Sequence, residues 1–265
     1  MADEILFDVK GAVATLTLNR PQMLNAVNEE AGKLLVAYLS QAERDPAIRC
    51  VLFKGAGDNF CAGGDVTMFK TMLDRTPEER RAHYRNFLAF LHLGLASLAR
   101  MPKPVVAVVR GAAAGIGLSF TLASDLAIAA DNAKFALAYT QIGVSPDGSA
   151  TFFLPRTVGL KKAKEIALLN ERMDAQTALG LGIINRVVPL ADLDTAADEL
   201  AARLAAGATG AIGRTKSLLN SSLHRTLSEQ LDAETEYFAE SAASADFAEG
   251  VGAFMAKRPP TFTGK

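Results

Sequence analysis

The sequence predicts an α/β fold that ends in a helical region, and three observations support this prediction. Short β-branched segments recur along the first two thirds of the chain, amphipathic segments separate them, and strand-like segments stop at about Asp192. Alternation of strands and helices along a chain is typical of α/β proteins. We therefore predict a core over residues 1–194 and a helical C-terminal region over residues 195–265.

The predicted strands are short, and residues that disfavour strands end each of them. Residues 12–21, AVATLTLNRP, alternate apolar and polar side chains before a proline, as in a half-buried strand. Three further β-branched segments end in Gly or Asp, which fits buried strands. They are CVLFKGAG (50–57), PVVAVVRG (104–111) and DLAIAAD (125–131).

Helices are predicted between the strands and after them. Residues 28–45, NEEAGKLLVAYLSQAERD, are amphipathic. A second helix starts at Thr76 as N-cap, with Pro77 in the first turn and Glu79 completing a capping box. After residue 192 the sequence is Ala-rich and helix-forming as far as Ala256. The apolar residues of this tail pack either on the core or on neighbouring subunits.

Composition excludes several classes of partner. The 28 basic and 29 acidic residues form no basic block, so we expect neither nucleic acid nor an anionic membrane as partner. No apolar run reaches the roughly 18 residues of a membrane span. The start of the chain lacks the order of a signal peptide, and Cys50 and Cys61 form no metal-ligand cluster. We expect a cytoplasmic protein with two reduced thiols and no metal site.

Two segments rich in small residues, NFCAGGDV (59–66) and GAAAGIGLS (111–119), each follow a predicted strand. Glycine lets the backbone approach a ligand closely and leaves N–H groups free at a helix start. Two such turns facing each other would form an oxyanion hole, although either turn alone also fits close packing of a helix on a strand. A dinucleotide or P-loop site is disfavoured, because the third glycine and the Lys-Ser/Thr pair are missing.

Asp147 is the residue whose surroundings are unusual. It lies in QIGVSPDGSATFFLPR (141–156), where the neighbouring side chains are mostly apolar. Such a carboxylate lies either in a solvated turn or in a dry pocket. Pro-Asp-Gly is a strong turn signal, so its local sequence favours the turn.

Five motifs in order resemble the crotonase, or enoyl-CoA hydratase/isomerase, superfamily. They are LNRPQMLNAVN (18–28), GDNFCAGGDV (57–66), KPVVAVVRGAAAGIGLSFTLASDLAIAADNAKF (103–135), LPRTVGLKKAKEIALLNERMDAQTALGLGIINRVVP (154–189) and FMAKRPPTF (254–262). The resemblance covers essentially the whole chain. It implies a spiral of β-β-α turns, a C-terminal helical region that builds homotrimers or dimers of trimers, and an acyl-coenzyme A thioester as substrate, with no separate cofactor.

The resemblance also implies site residues. The oxyanion donors would be the N–H groups of Gly64 and Ile116, and a backbone donor tolerates Ile116 where the family usually has glycine. The coenzyme A channel would be lined by Asn25, Ala26, Ala62, Gly63, Asp65 and Val66, and Phe254 and Lys257 would reach the nucleotide of a neighbouring subunit. Asp65 and Asp125 also follow segments of small residues, which favours a capping role.

The chain departs from hydratases of this superfamily at both of their glutamates. Ser119 and Tyr139 occupy these positions, and neither is a carboxylate base at neutral pH. The Ser-Pro-acid-Gly turn instead resembles enoyl-CoA isomerases, and residues 135–156 resemble ring-1,2-epoxyphenylacetyl-CoA isomerases. One carboxylate in an otherwise apolar pocket suits isomerisation, so we predict Asp147 as the general acid/base.

Hydration of an enoyl-CoA remains an alternative to isomerisation, and two other functions also remain open. His92 borders the apolar side that its helix is predicted to turn toward the core. By position, it resembles the water-activating histidine of the 4-chlorobenzoyl-CoA dehalogenases of this superfamily. Those enzymes have a tryptophan where this chain has Tyr139, and the chain contains no tryptophan. Tyr139 either faces the acyl pocket or simply packs, and His83 and His224 are expected at the surface. A non-catalytic acyl-CoA-binding subunit is the other alternative.

Overall fold

The computed structural model describes residues 3–265, which form two β-sheets enclosed by helices. The larger sheet has the order β1-β2-β3-β4-β6-β9, and the smaller sheet has the order β5-β7-β8. The strands are β1 (Ile5–Lys10), β2 (Val13–Leu18), β3 (Cys50–Gly55), β4 (Val105–Val109), β5 (Ala112–Ala114), β6 (Leu126–Ala130), β7 (Lys134–Ala136), β8 (Met173–Asp174) and β9 (Arg186–Val188). Among the strand pairs of residues 3–265, only β1–β2 and β7–β8 are antiparallel.

Eleven α-helices connect and follow the strands of the described residues. They are α1 (Glu29–Arg44), α2 (Val66–Thr71), α3 (Pro77–Arg100), α4 (Ile116–Ala123), α5 (Ala150–Val158), α6 (Leu160–Leu169), α7 (Ala175–Gly180), α8 (Leu193–Ala205), α9 (Thr209–Ser221), α10 (Leu227–Ala242) and α11 (Ala245–Met255). Within residues 3–265, none of these helices has the length and apolar character needed to cross a membrane.

The elements predicted from local sequence are confirmed. In β2 the side chains of Ala14, Leu16 and Leu18 are buried and those between them are only half-buried, as the alternation predicts. The three β-branched segments form β3, β4 and β6. At the start of α3, the Thr76 hydroxyl accepts from the Glu79 N–H at 3.2 Å and the Glu79 carboxylate accepts from the Thr76 N–H at 2.8 Å.

The larger sheet is covered on both faces. Large apolar side chains fill one face, where Phe53 meets Phe60 and Phe120 edge to face with ring centroids 5.6 and 5.1 Å apart. On the other face, α8 packs its buried side chains against β3, β4 and β6. Residue 195, where the predicted helical region starts, therefore lies inside a helix that covers the sheet.

The last helices are attached to this core by polar contacts. The buried Lys216 ammonium on α9 donates to an Asp125 carboxylate oxygen at 2.8 Å and to the Leu98 carbonyl at 3.0 Å. Arg49 donates to the Thr209 hydroxyl at 2.8 Å and to the Phe262 carbonyl at 2.9 Å. The C-terminal segment is thus held in a defined place on the chain's own core.

Candidate active site

The two segments of small residues lie side by side. The Cys61 N–H donates to the Ala112 carbonyl and the Ala114 N–H donates to the Cys61 carbonyl, both at 2.9 Å. A Cβ on Gly117 would lie 2.2 Å from the Cys61 carbonyl oxygen, so a larger residue would force the two segments apart. Glycine at this position allows the close approach of the two backbones.

Two backbone N–H groups at this junction are free. Within residues 3–265, neither the Gly64 N–H nor the Ile116 N–H donates a hydrogen bond to another group of the chain. Ile116 is the first residue of α4, and Gly115 before it adopts φ 54°. Because the first N–H groups of a helix have no partner inside the helix, the Ile116 N–H is available to a ligand.

The turn that carries Asp147 packs directly on α4. A Cβ on Gly148, whose φ is 60°, would lie 2.2 Å from Ile116 Cδ1 and 3.1 Å from Ser119 Cβ. The Ser119 hydroxyl lies 3.3 Å from the Asp147 carbonyl oxygen, to which it donates. The carboxylate is therefore held beside the helix whose first N–H is free.

Asp147 is joined to Tyr139 rather than surrounded by apolar groups alone. The Tyr139 hydroxyl donates to Asp147 Oδ1 at 2.5 Å and lies 3.4 Å from the Ser119 hydroxyl. The prediction of one carboxylate in an otherwise apolar pocket is wrong in this respect, because two hydroxyl groups accompany it. Tyr139 and Ser119 are both buried, and because its hydroxyl binds Asp147, Tyr139 does more than fill space.

Burial has the largest effect on the pKa of Asp147. Loss of water raises the pKa of Asp147 above its ordinary value, although the Tyr139 hydrogen bond and the charge of His92 oppose that rise. Burial and the adjacent carboxylate raise the pKa of Tyr139. Tyr139 is therefore a protonated donor at neutral pH, and Asp147 is a carboxylate with increased proton affinity.

His92 reaches the same turn from α3. Its Nε2 accepts from the Gly148 N–H at 3.4 Å, while its side chain is exposed beside the buried Leu91 and Leu95, as predicted. His224 is exposed, as expected. His83 is only half-buried, with its Nδ1 3.7 Å from a Glu29 oxygen, so the expectation of a surface position holds only in part.

Asn25 and Asp65 use their side chains to hold the predicted channel together. The buried Asn25 amide donates to the carbonyls of Ala56 and Asn59 at 2.9 and 2.7 Å. Asp65 is the N-cap of α2, as its capping role predicted, and pairs with Arg20 at 2.7 Å. Burial alone would raise the pKa of Asp65, but hydrogen bonds from Thr67 and Arg20 outweigh burial and lower it.

Sequence reasoning missed Arg20 and the pairing of Tyr139 with Asp147. The Arg20 guanidinium also donates to the Ala26 carbonyl at 2.6 Å, so one side chain joins two loops of the predicted channel. The motif LNRP contains Arg20, but it does not indicate that Arg20 pairs with Asp65, which lies 45 residues further along the chain. The sequence predicts Tyr139 only as a pocket or packing residue, since no local pattern indicates which carboxylate a buried hydroxyl contacts.

The other predicted channel residues lie in two places. Ala26 and Gly63 are buried and Ala62 is half-buried near the junction, whereas Val66 is 66% exposed at the start of α2. Phe254 on α11 is 82% exposed, and Lys257 just after that helix is also exposed. Contact of these two residues with a neighbouring subunit's nucleotide stays a prediction.

Comparisons with known proteins agree with this architecture. Residues 8–265 match the family model described as enoyl-CoA hydratase/isomerase. The chain is 42% identical to the 1,2-epoxyphenylacetyl-CoA isomerase of Escherichia coli strain K12, with 100% of each chain covered. It is 32% identical to 4-chlorobenzoyl coenzyme A dehalogenase-2 of an Arthrobacter species, over 92% of this chain and 88% of that protein.

The fold is also shared with solved structures. An enoyl-CoA hydratase from Polaromonas sp. JS666 matches with a TM-score of 0.92 and 35% identity, over 97% of this chain and 99% of that chain. The chain belongs to the enoyl-CoA hydratase/isomerase family, and its α/β body with helical C-terminus has the crotonase fold. The predicted resemblance and fold class are confirmed.

Proposed function

We propose that this protein is an acyl-CoA isomerase that shifts a double bond, or rearranges a ring, in an unsaturated acyl-CoA. One observation carries the proposal: the turn of Asp147 lies against the first turn of α4, whose first N–H group has no partner among residues 3–265. The resemblance also implies that Ser119 and Tyr139 stand where hydratases have their two glutamates. Similarity over the whole chain, at 42% identity, to an isomerase supports the same assignment.

The proposed reaction moves one proton within the substrate and leaves the composition of the substrate unchanged. The thioester oxygen accepts hydrogen bonds from the N–H groups of Gly64 and Ile116. Asp147 takes a proton from the carbon next to the thioester carbonyl, and the electron pair moves onto that oxygen as an enolate. The Asp147 carboxylic acid then returns the proton two carbons away, and the double bond becomes conjugated with the thioester.

The environment of Asp147 suits both halves of this reaction. A carboxylate with a raised pKa accepts a proton from carbon more readily and retains it long enough to deliver it elsewhere. Hydration by two glutamates would require a second carboxylate at position 119 or 139, and the chain has hydroxyl groups there. Isomerisation needs only Asp147 and the two N–H groups.

Dehalogenation of a 4-chlorobenzoyl-CoA is the second candidate. The contact between His92 and the Asp147 turn, together with the similarity to a dehalogenase, favours it. Asp147 would attack the ring carbon that carries chlorine and expel chloride as an aryl ester forms. His92 would then activate a water molecule that hydrolyses the ester and restores Asp147. The dehalogenases resemble one another in having a tryptophan at the position of Tyr139. Because this chain contains no tryptophan, dehalogenation is the second candidate.

A proton-exchange assay tests the proposed function. In deuterated water with a 3-enoyl-CoA, we expect deuterium in the acyl chain and accumulation of the conjugated 2-enoyl-CoA. Binding of acyl-CoA without exchange would support a non-catalytic subunit instead. Two results would support the dehalogenase instead. One is release of chloride from 4-chlorobenzoyl-CoA. The other is a mass increase on the peptide that contains Asp147, which should persist in the His92→Gln variant.

We further propose that the protein acts as a homotrimer, or a dimer of trimers, in the cytoplasm. Large apolar side chains are exposed on the last helices of the single chain, where 70% of Phe238 and 76% of Leu227 are accessible. Cys50 and Cys61 are free and buried, which suits a reducing compartment. Burial of the C-terminal apolar side chains between copies would give them a partner.

A further inference from the structure

We propose that Tyr139 is a positioning residue, which holds one oxygen of Asp147 so that the other oxygen carries the proton. This inference rests on the proposed isomerase function. The geometry that leads to it is the hydrogen bond of 2.5 Å from the Tyr139 hydroxyl to Asp147 Oδ1. Within residues 3–265, Asp147 Oδ2 accepts no hydrogen bond from a side chain or the backbone, so it is the oxygen left for substrate.

The phenol ring is itself fixed in place. Tyr139 is 9% exposed and begins the 3₁₀ turn Tyr139–Ile142. A Cβ built on Gly115 would lie 3.9 Å from Tyr139 Cζ, so the ring lies next to the turn that presents the Ile116 N–H. Tyr139 thus contacts the proposed base and lies next to the turn that presents one proposed oxyanion donor. Since proton abstraction requires the base at the carbon and the donor at the thioester oxygen of one substrate, a rigid ring that neighbours both helps to hold them in place.

The contact with Tyr139 also lowers the proton affinity of Asp147. Two titratable groups face Asp147, namely Tyr139 and, from α3, His92. Cys61 lies near Tyr139, and burial raises the pKa of its thiol to about 12, so it remains neutral. The Tyr139 hydrogen bond lowers the pKa of Asp147 and partly offsets the effect of burial. Without the hydroxyl, the pKa of Asp147 rises further.

Tyr139→Phe tests the role of the hydroxyl because it keeps the ring. The measurement is the pH dependence of kcat/KM for conversion of a 3-enoyl-CoA to the 2-enoyl-CoA. The base works when ionised, so a higher pKa moves the acidic limb of the profile to higher pH. We expect a shift of about one pH unit, a tenfold change in the acid dissociation constant. KM should change little, since the hydroxyl does not contact substrate in this scheme, whereas kcat should fall about tenfold as the carboxylate loses its orientation.

Two further variants separate positioning from indirect effects. In a His92→Gln background the shift caused by Tyr139→Phe should persist, which excludes the imidazole as its source. Ser119→Ala removes only contacts of 3.3 to 3.4 Å and should leave the acidic limb close to that of the unaltered protein. Placing 3-fluorotyrosine at position 139 strengthens the donor, and should move the limb to lower pH even if Tyr139→Phe folds poorly.

The outcomes distinguish this inference from the proposed function. If Asp147→Asn keeps full proton exchange, the assignment of the base is wrong. If Asp147→Asn abolishes exchange but Tyr139→Phe and the 3-fluorotyrosine protein both keep the pH profile of the unaltered protein, the positioning role alone is overturned. The positioning role is supported if the acidic limb moves to higher pH in Tyr139→Phe and to lower pH in the 3-fluorotyrosine protein.

Discussion

Asp147 illustrates at the scale of one residue how burial prepares a carboxylate for proton transfer. Its asparagine variant keeps the shape and can still accept from the Tyr139 hydroxyl, but it cannot accept a proton from carbon. We expect acyl-CoA binding to be nearly intact and turnover to fall about 10²–10⁴-fold, or roughly 3–5 kcal/mol of barrier. Steady-state isomerisation and acyl-CoA titration measure the two effects. Ser119→Ala is the matched control and should cost far less; unchanged activity of Asp147→Asn would leave the turn without a catalytic role.

The raised pKa of Asp147 also predicts how this residue affects the stability of the fold. Its folded-state pKa is raised above 3.8, so the stability it contributes is present in acid and is lost as the pH rises through that folded-state value. At neutral pH the ionised carboxylate therefore opposes folding. We expect Asp147→Asn to unfold at higher urea concentration than the unaltered protein at pH 7, with the difference shrinking toward about pH 4. A difference that grows on acidification would contradict this sign.

At the scale of elements, the Lys216–Asp125 pair connects α9 to the start of β6. The two side chains are 7% and 23% exposed, and burial lowers the pKa of Lys216. Removing one member of a buried pair leaves the other uncompensated, typically at about 3–5 kcal/mol. We expect Lys216→Met to lower the free energy of unfolding by about 3 kcal/mol, near the lower end because Asp125 keeps some contact with water.

Urea unfolding measures this cost, and an exposed pair provides the control. Lys162 and Glu165 on α6 lie 2.8 Å apart but are 41% and 49% exposed. Lys162→Met should therefore change stability by less than about 0.5 kcal/mol. Equal effects of Lys162→Met and Lys216→Met would show that burial does not set the strength of the Lys216 contact.

At the scale of the whole molecule, the exposed apolar side chains of the last helices predict association. A Leu231→Glu, Phe238→Glu variant places charge on α10 at side chains that are 52% and 70% exposed. Light scattering should give three or six copies of the 28.0 kDa chain for the unaltered protein and a monomer for the variant. Leu6→Glu, at a 44% exposed position on β1, should keep the assembly. An unaltered protein that is monomeric and fully active would contradict the proposal.

The placement of α8 changes how a truncation would be interpreted. Deletion from residue 195 would remove most of a helix that covers the larger sheet, so loss of solubility would follow from exposure of the core alone. A chain ending after Ala205 keeps that helix but loses the Lys216 and Phe262 contacts. The glutamate substitutions on α10 are therefore the sharper test of assembly.

Features that depend on neighbouring residues could be predicted from the sequence. The alternation in β2, the capping box of Thr76 and Glu79, and the Pro-Asp-Gly turn each follow from contacts within a few residues of the chain. The ordered motifs also predicted the fold class and singled out Asp147. Such signals are readable because strand periodicity, helix caps and turn conformations are local properties of the backbone.

Which surfaces contact one another could not be predicted from local sequence and follows from the packing of the whole chain. Arg20 pairs with Asp65 across 45 residues, and the Tyr139 hydroxyl reaches Asp147 across a loop in which Ala138 and Ser149, on either side of them, adopt positive φ. An amphipathic pattern likewise predicts that α8 buries one face, but not that the larger sheet covers it. The partner of a buried side chain depends on how all elements pack together, and that arrangement is not written in the few residues around it.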